Sequence, residues 1–297
     1  MIATALFSMA SVECTIHLIA LHHGKSSDNV AELIRSGSDA TSHLIKGRPH
    51  GWIHPPQKND TKELLAHDWD LFLLTDSTAT ISTAVAAVAS AHLAVEVAIS
   101  RAQYETIKSS MDSVRVPIPE TPPLPKEWLE SGGVPQSAIN NSIDASRQRR
   151  VGELQLDIQM AEFLSASLPD AVRNMPVSLF NLFRYPYGDS SVHDAYMEGF
   201  KQKFGPAAGA GIRFMGPVKS GITIEGDTAA GERSGWDGGL WQDANLVQYD
   251  SIWHYAYMLS TDVYQELNQQ KMEGLEDTCI LCVSEVELLR CRSYGWI

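Results

Sequence analysis

Across 297 residues, 44% are hydrophobic and 20% charged, a balance that lets the chain bury a real core and excludes a disordered or low-complexity class. A formal net charge of -13 excludes nucleic acid and anionic membrane as natural partners, because no Lys/Arg block offsets repulsion from phosphate. The length allows two compact units.

The opening stretch MIATALFSMASVECTIHLIALHHG has no cationic leader and carries Glu13 early, so no secretory signal is expected and a cytoplasmic protein is. The most membrane-like window, Ala79 to Val95, is weakly hydrophobic and contains His92; it reads as a helix packed on a sheet, and no membrane span is expected. Four cysteines are too few for a disulfide framework. Cys279 and Cys282 have redox-motif spacing, but TCILCVSEVEL is a strand pattern that sends the two thiols to opposite faces.

In chain order, alternation predicts a strand at Cys14–Leu21, and Val30, Leu33 and Ile34 predict a helix over Ser26–Ser36. Apolar runs follow near Leu44–Ile53 and Trp69–Leu74, then an alanine-rich helix at Ser77–Ala91 and a strand at Leu93–Ile99. This β-α-β-β-α-β order is that of a ferredoxin-like unit. Pro117, Pro119, Pro122, Pro123 and Pro125 predict an extended connector, and Val151–Leu164 predicts a bridging amphipathic helix.

From Pro176 the order repeats. VSLFNLFRY is a strand, Val192–Phe204 a helix, and Ile212–Ile224 a strand entered through a Gly205–Gly211 turn. Leu240–Tyr249 is a further strand, Ser251 to about Gln270 one helix, and Cys279–Leu288 the last strand. The glycine-rich stretch at 226–239 reads as a mobile hairpin tip or lid. The expected domains are residues 1–113, a linker with bridging helix at 114–175, and residues 176–297.

SLFNLFRY, GWDGG, LVQYDSIWHYAYML, DVYQELN and LEDTCILCVSE, in that order, resemble the two-domain fungal proteins of the dimeric α+β barrel superfamily. RPHGWIHPP and HDWDLFLL carry a looser likeness in the first half. The segment GWDGGLWQDANLVQY departs from the pattern by being longer and richer in glycine. The resemblance implies an α+β fold of two ferredoxin-like units whose sheets face each other, a pseudo-dimer within one chain. Relatives in the superfamily include cofactor-independent monooxygenases, lyases, dehydratases and cyclases, and the fungal resemblance implies natural-product biosynthesis.

Candidate chemistry concentrates in the second half. His254 stands among Trp253, Tyr255, Tyr257 and Met258 on a helix that Asp250 or Ser251 caps; it is either a satisfied core histidine or a pocket donor or base. In VSLFNLFRY, alternation sets Leu179, Asn181, Phe183 and Tyr185 on one face. The amide of Asn181 in that apolar row either fixes the strand or donates to a ligand carbonyl. Arg184 suits a surface ion pair or a carboxylate at a pocket mouth, and Tyr264 and Asn268 lie one helical turn apart. His17, His22 and His23 have no metal-site spacing, and GPAAGAG lacks the context of a dinucleotide fingerprint, so neither metal nor cofactor is expected.

The expectation is therefore an apolar cavity between sheet and helices where the halves meet, sized for a hydrophobic small molecule. The function it implies is a cofactor-independent cyclase or isomerase, including a Diels-Alder catalyst, acting on a terpenoid or polyketide intermediate, with His254 and Asn181 catalytic. A noncatalytic carrier and a cofactor-free monooxygenase stay open, as does self-association into a homo-oligomer.

Overall fold

The computed structural model describes residues 11–25, 43–58, 62–76, 81, 83–110, 123–139, 150–219, 223–226 and 241–285. The predicted helix at 26–36 and nearly all of the glycine-rich stretch at 226–239 lie outside the described residues. The fold is mixed α+β, built on one antiparallel sheet.

Its strands are β1 (Ser11–Leu21), β2 (His43–His54), β3 (Leu71–Asp76), β4 (Ala89–Ser100), β5 (Val177–Arg184), β6 (Ala210–Pro217), β7 (Thr223–Gly226), β8 (Asp243–Tyr249) and β9 (Asp277–Ser284). The longer helices are α1 (Arg101–Ser109), α2 (Lys126–Ser131), α3 (Ile158–Ala166), α4 (Ser191–Gly199), α5 (Ile252–Ser260) and α6 (Asp262–Glu273). Strand order is β6-β8-β5-β9-β2-β3-β1-β4-β7. The first four strands run β2-β3-β1-β4 across the sheet, and β6-β8-β5-β9 repeats that order in the second half.

The sheet closes on itself. Val218, directly after β6, bridges antiparallel to Val97 of β4, and the Lys219 N–H donates to Glu96 O at 2.8 Å. At this closure Gly216 lies so near β4 that an added Cβ would sit 1.9 Å from Ala98 O. Such a small barrel is filled by its inward side chains. Ile16, Leu18, Phe72, Leu93 and Val95 meet Phe180, Leu182, Phe214, Leu246 and Leu281 there, and Phe72 and Phe180 tilt against each other at 5.3 Å across the two halves. The hollow expected where the halves meet is therefore a packed core.

A second core lies on the opposite face of the second half-sheet. There Leu179, Val247, Ile280 and Cys282 pack against α3, α4, α5 and α6 through Leu164, Met197, Ala256 and Leu267. Alternation along β5 sorts Phe180 and Leu182 into the barrel and Leu179 toward these helices. Cys279 and Cys282 likewise part to the two faces; both thiols are buried, and desolvation pushes Cys282 up to about 12.

Several elements differ from the sequence expectation. The single strand expected at Ile212–Ile224 is two, β6 ending at Pro217 beside β8 and β7 (Thr223–Gly226) pairing with β4. Of the alanine-rich helix expected at Ser77–Ala91, the described residues hold one helical turn, Thr83–Ala86, and β4 already begins at Ala89, because Ala91, Leu93, Val95, Val97 and Ile99 alternate into the barrel and β1 pairs along the whole strand. α1 follows β4 directly, started by a capping box between Ser100 and Gln103. The bridging helix starts only at Ile158, where the Asp157 carboxylate caps it by accepting from the Met160 N–H at 2.8 Å. The long helix after Ser251 breaks at Thr261, whose backbone is extended and whose hydroxyl caps α6 by accepting from the Tyr264 N–H.

Candidate active site

Under α4, α5 and α6, the outward face of the second half-sheet encloses a cavity of about 30 Å³, room for roughly two water molecules. Leu179, Asn181 and Phe183 of β5 and Asn245, Val247 and Tyr249 of β8 form its floor. Tyr196, Phe200, Tyr255, Met258, Tyr264 and Lys271 form its roof. The volume corrects the expected size: a terpenoid or polyketide intermediate enters only if the helical layer parts from the sheet. A surface groove of about 580 Å³ is wider, but its walls include the exposed Lys58, Arg150, Gln269 and Glu273, and nothing buried and polar converges on it.

Lys271 stands out among the lining residues. On α6 the buried positions are Tyr264, Leu267, Asn268 and Lys271, the i, i+3, i+4, i+7 stripe that faces a sheet, so the amine is carried inward with the apolar side of its helix. It is 3% exposed, and among the described residues no carboxylate pairs with it. Its Nζ lies 5.9 Å from the centre of the Tyr196 ring. Desolvation lowers its pKa to about 7, which leaves a substantial neutral fraction at physiological pH.

Around this amine are neutral donors. Burial holds the Tyr196, Tyr249 and Tyr264 hydroxyls above their ordinary range, so all three are neutral. Asn181 faces Asn245 across the β5–β8 pairing. Its amide nitrogen donates to Asn245 Oδ1 at 2.8 Å and to Leu179 O at 3.0 Å, so both of its hydrogens are committed. The donors of the pair left for a guest are those of Asn245 Nδ2.

At the end of the cavity floor, Tyr185 links a short polar chain. Its hydroxyl donates to Asp243 Oδ2 at 2.7 Å and lies 3.0 Å from His193 Nδ1. His193 is fully buried, its Nε2 has no hydrogen-bond partner, and burial, aided by the positive charge of Lys271, lowers it to about 3. It is a neutral acceptor beside the lysine.

Of the residues singled out in the sequence, Asn181, Phe183, Tyr255, Met258 and Tyr264 come together at the cavity, and the other five do not line it. His254 is partly exposed and its Nδ1 lies 2.8 Å from the Ser251 hydroxyl that caps α5, a local contact at the helix start. The Trp253 indole donates to Asn174 Oδ1 at 3.0 Å, and Arg184 pairs with Glu276 at 3.0 Å. Asn268 donates to Leu154 O, pinning the segment before α3, and Tyr185 sits in the chain just described. Sequence reasoning missed Lys271, Asn245, Tyr196, Tyr249, His193 and Asp243. The Lys271 signal was the helical spacing from Tyr264, which the predicted helix end at Gln270 cut off.

The first half carries a polar cluster of its own. His17 Nδ1 lies 2.9 Å from His92 Nε2, and His17 Nε2 lies 2.9 Å from the Thr75 hydroxyl. Burial lowers the two imidazoles to about 3 and about 4, so both are neutral at pH 7 and hold each other in place. Among the described residues no three potential metal ligands converge.

No protein-family model matches the chain, and no curated protein matches it. Among solved structures, a "putative monooxygenase" from Lactobacillus acidophilus aligns over 92% of this chain and 93% of its own, at 8% identity and a TM-score of 0.36. A likeness that slight carries no functional information. No helix among the described residues is long and apolar enough to cross a membrane.

Proposed function

We propose that the chain is a cofactor-independent enzyme of the isomerase or cyclase kind, a pair of tandem ferredoxin-like units whose second unit carries the active site under α4–α6. One observation carries this reading: a buried lysine amine without a carboxylate partner, among tyrosines and amides, in the apolar cavity. Keeping such a group costs stability, and strongly perturbed titratable groups in clefts cluster at functional sites.

The chemistry follows from the donor set. A substrate carbonyl accepts from Asn245 Nδ2 or a tyrosine hydroxyl, which stabilises the enolate as charge builds on oxygen. The neutral Lys271 amine removes the proton from the adjacent carbon, and the ammonium returns it elsewhere on the same framework. A base with its pKa near 7 suits that exchange at physiological pH. Asn181 positions Asn245, and His254 stands outside the chemistry. The cavity as it stands holds about two heavy atoms, enough for a carbonyl group; a short-chain guest needs α4–α6 to ease from the sheet, and the natural-product intermediate that the sequence resemblance implies needs them to lift.

Solvent deuterium tests this reading. A panel of short-chain ketones and aldehydes incubated with the protein in D2O is expected to gain deuterium next to the carbonyl with no other change in mass, and Lys271→Met is expected to reduce the rate at least a hundredfold. Ligand binding with no exchange above the buffer rate contradicts the catalytic reading and leaves a noncatalytic binding protein. Incorporation of oxygen contradicts it in favour of a monooxygenase.

A further inference from the structure

We infer that Lys271 acts as a nucleophile as well as a base, forming an imine with a short-chain aldehyde or ketone held in the cavity beneath α6. The inference rests on the active-site reading above and adds to it a covalent step and a substrate class.

Three features of the geometry carry it. The amine lies inside an apolar, aromatic-walled space, and no carboxylate among the described residues ties it down as an ammonium. The free space beside it, about 30 Å³, matches a carbonyl group; the rest of a short chain needs only a small shift of the helical layer, and a bulky compound needs a large one. Tyr196 and Tyr264 line the same space, and their hydroxyls are neutral donors for a developing alkoxide. Desolvated lysines in hydrophobic pockets are activated nucleophiles toward carbonyls.

The step balances without an oxidant or reductant. The Nζ lone pair attacks the carbonyl carbon, the carbon–nitrogen bond forms, and the carbonyl π pair moves to oxygen, which takes up a proton. The nitrogen then gives up its protons as the hydroxyl, protonated once more, departs as water. The net reaction is amine plus carbonyl giving imine plus water. Protonation of the imine draws electrons from the adjacent carbon and makes its C–H more acidic, so the covalent step strengthens the proton transfer proposed for the same site.

Reductive trapping tests the inference. The full chain is incubated near neutral pH with propanal and sodium cyanoborohydride, and modified lysines are mapped by peptide mass spectrometry. Lys271 is expected to carry the propyl group at a rate at least about tenfold above exposed lysines, because those amines are almost wholly protonated at that pH. In Lys271→Met the fast-labelling site disappears; the exposed lysines label as before. Labelling of Lys271 at or below the rate of exposed lysines overturns the imine. Deuterium exchange that persists without such labelling leaves the lysine a base only, and loss of both overturns the site itself.

Discussion

Replacing Lys271 by methionine is expected to stabilise the folded protein while abolishing its proton-transfer activity. Methionine fills nearly the same volume and has no charge to desolvate, so the substitution removes a penalty without opening a void. The penalty follows from linkage. Lys271 has a pKa of about 7 in the folded chain against an ordinary lysine value of 10.5, so between those values the unfolded state binds more protons and stability rises with pH. Below pH 7 both states are protonated and the whole cost is present; above 10.5 both are neutral and it is gone. Every tenfold loss of proton affinity on folding costs about 1.4 kcal/mol, so the variant gains on the order of several kcal/mol at neutral pH and below. Urea midpoints across the alkaline range check this: the wild type is expected to gain stability between pH 7 and 10.5 relative to Lys271→Met. Equal slopes in the two proteins would place the amine in water.

Closure of the barrel makes the second large prediction. A Cβ on Gly216 would lie 1.9 Å from Ala98 O and 2.8 Å from Ala98 C, both main-chain atoms of β4, so no side-chain rotation relieves the clash. Gly216→Ala is expected to cost about 3 kcal/mol or more, because it separates β6 from β4 where the Val97–Val218 bridge joins the two halves. Gly132→Ala is the control. Gly132 has φ +64° at the end of α2 and no atom within 4 Å of an added Cβ, so only backbone strain of roughly 1–2 kcal/mol applies. Chemical denaturation of the pair separates the cases; similar losses would mean that the sheet is open at this edge.

The strands of both halves were readable because period-two alternation reports burial directly, as in β5, where one face meets the barrel and the other the helices. Residue type narrowed the cap of α5 to Asp250 or Ser251, and Ser251 fills it. The Ala89–Ala91 segment misled, because alanine favours helix by local propensity while pairing with β1 and burial in the barrel decide the matter. Half of the singled-out site residues reach the cavity: Asn181 and Phe183 from β5, Tyr255 and Met258 from one face of α5, and Tyr264 from the start of α6. Asn245 was not readable: its importance comes from standing opposite Asn181, and register between distant strands is not written in either strand alone. Lys271 was hidden by the break at Thr261, which resets the helix phase and extends α6 past Gln270. The volume of the cavity was hidden as well, because how tightly α4–α6 settle on the sheet depends on every contact between them.

The proposed chemistry depends on one group being neutral where lysines are normally charged. Titration of the Lys271 side chain by carbon-13 NMR, with Lys271→Met used to assign its signal, measures that directly. A midpoint near pH 7 is the predicted result; a midpoint near the ordinary lysine value would contradict both the proton transfer and the imine.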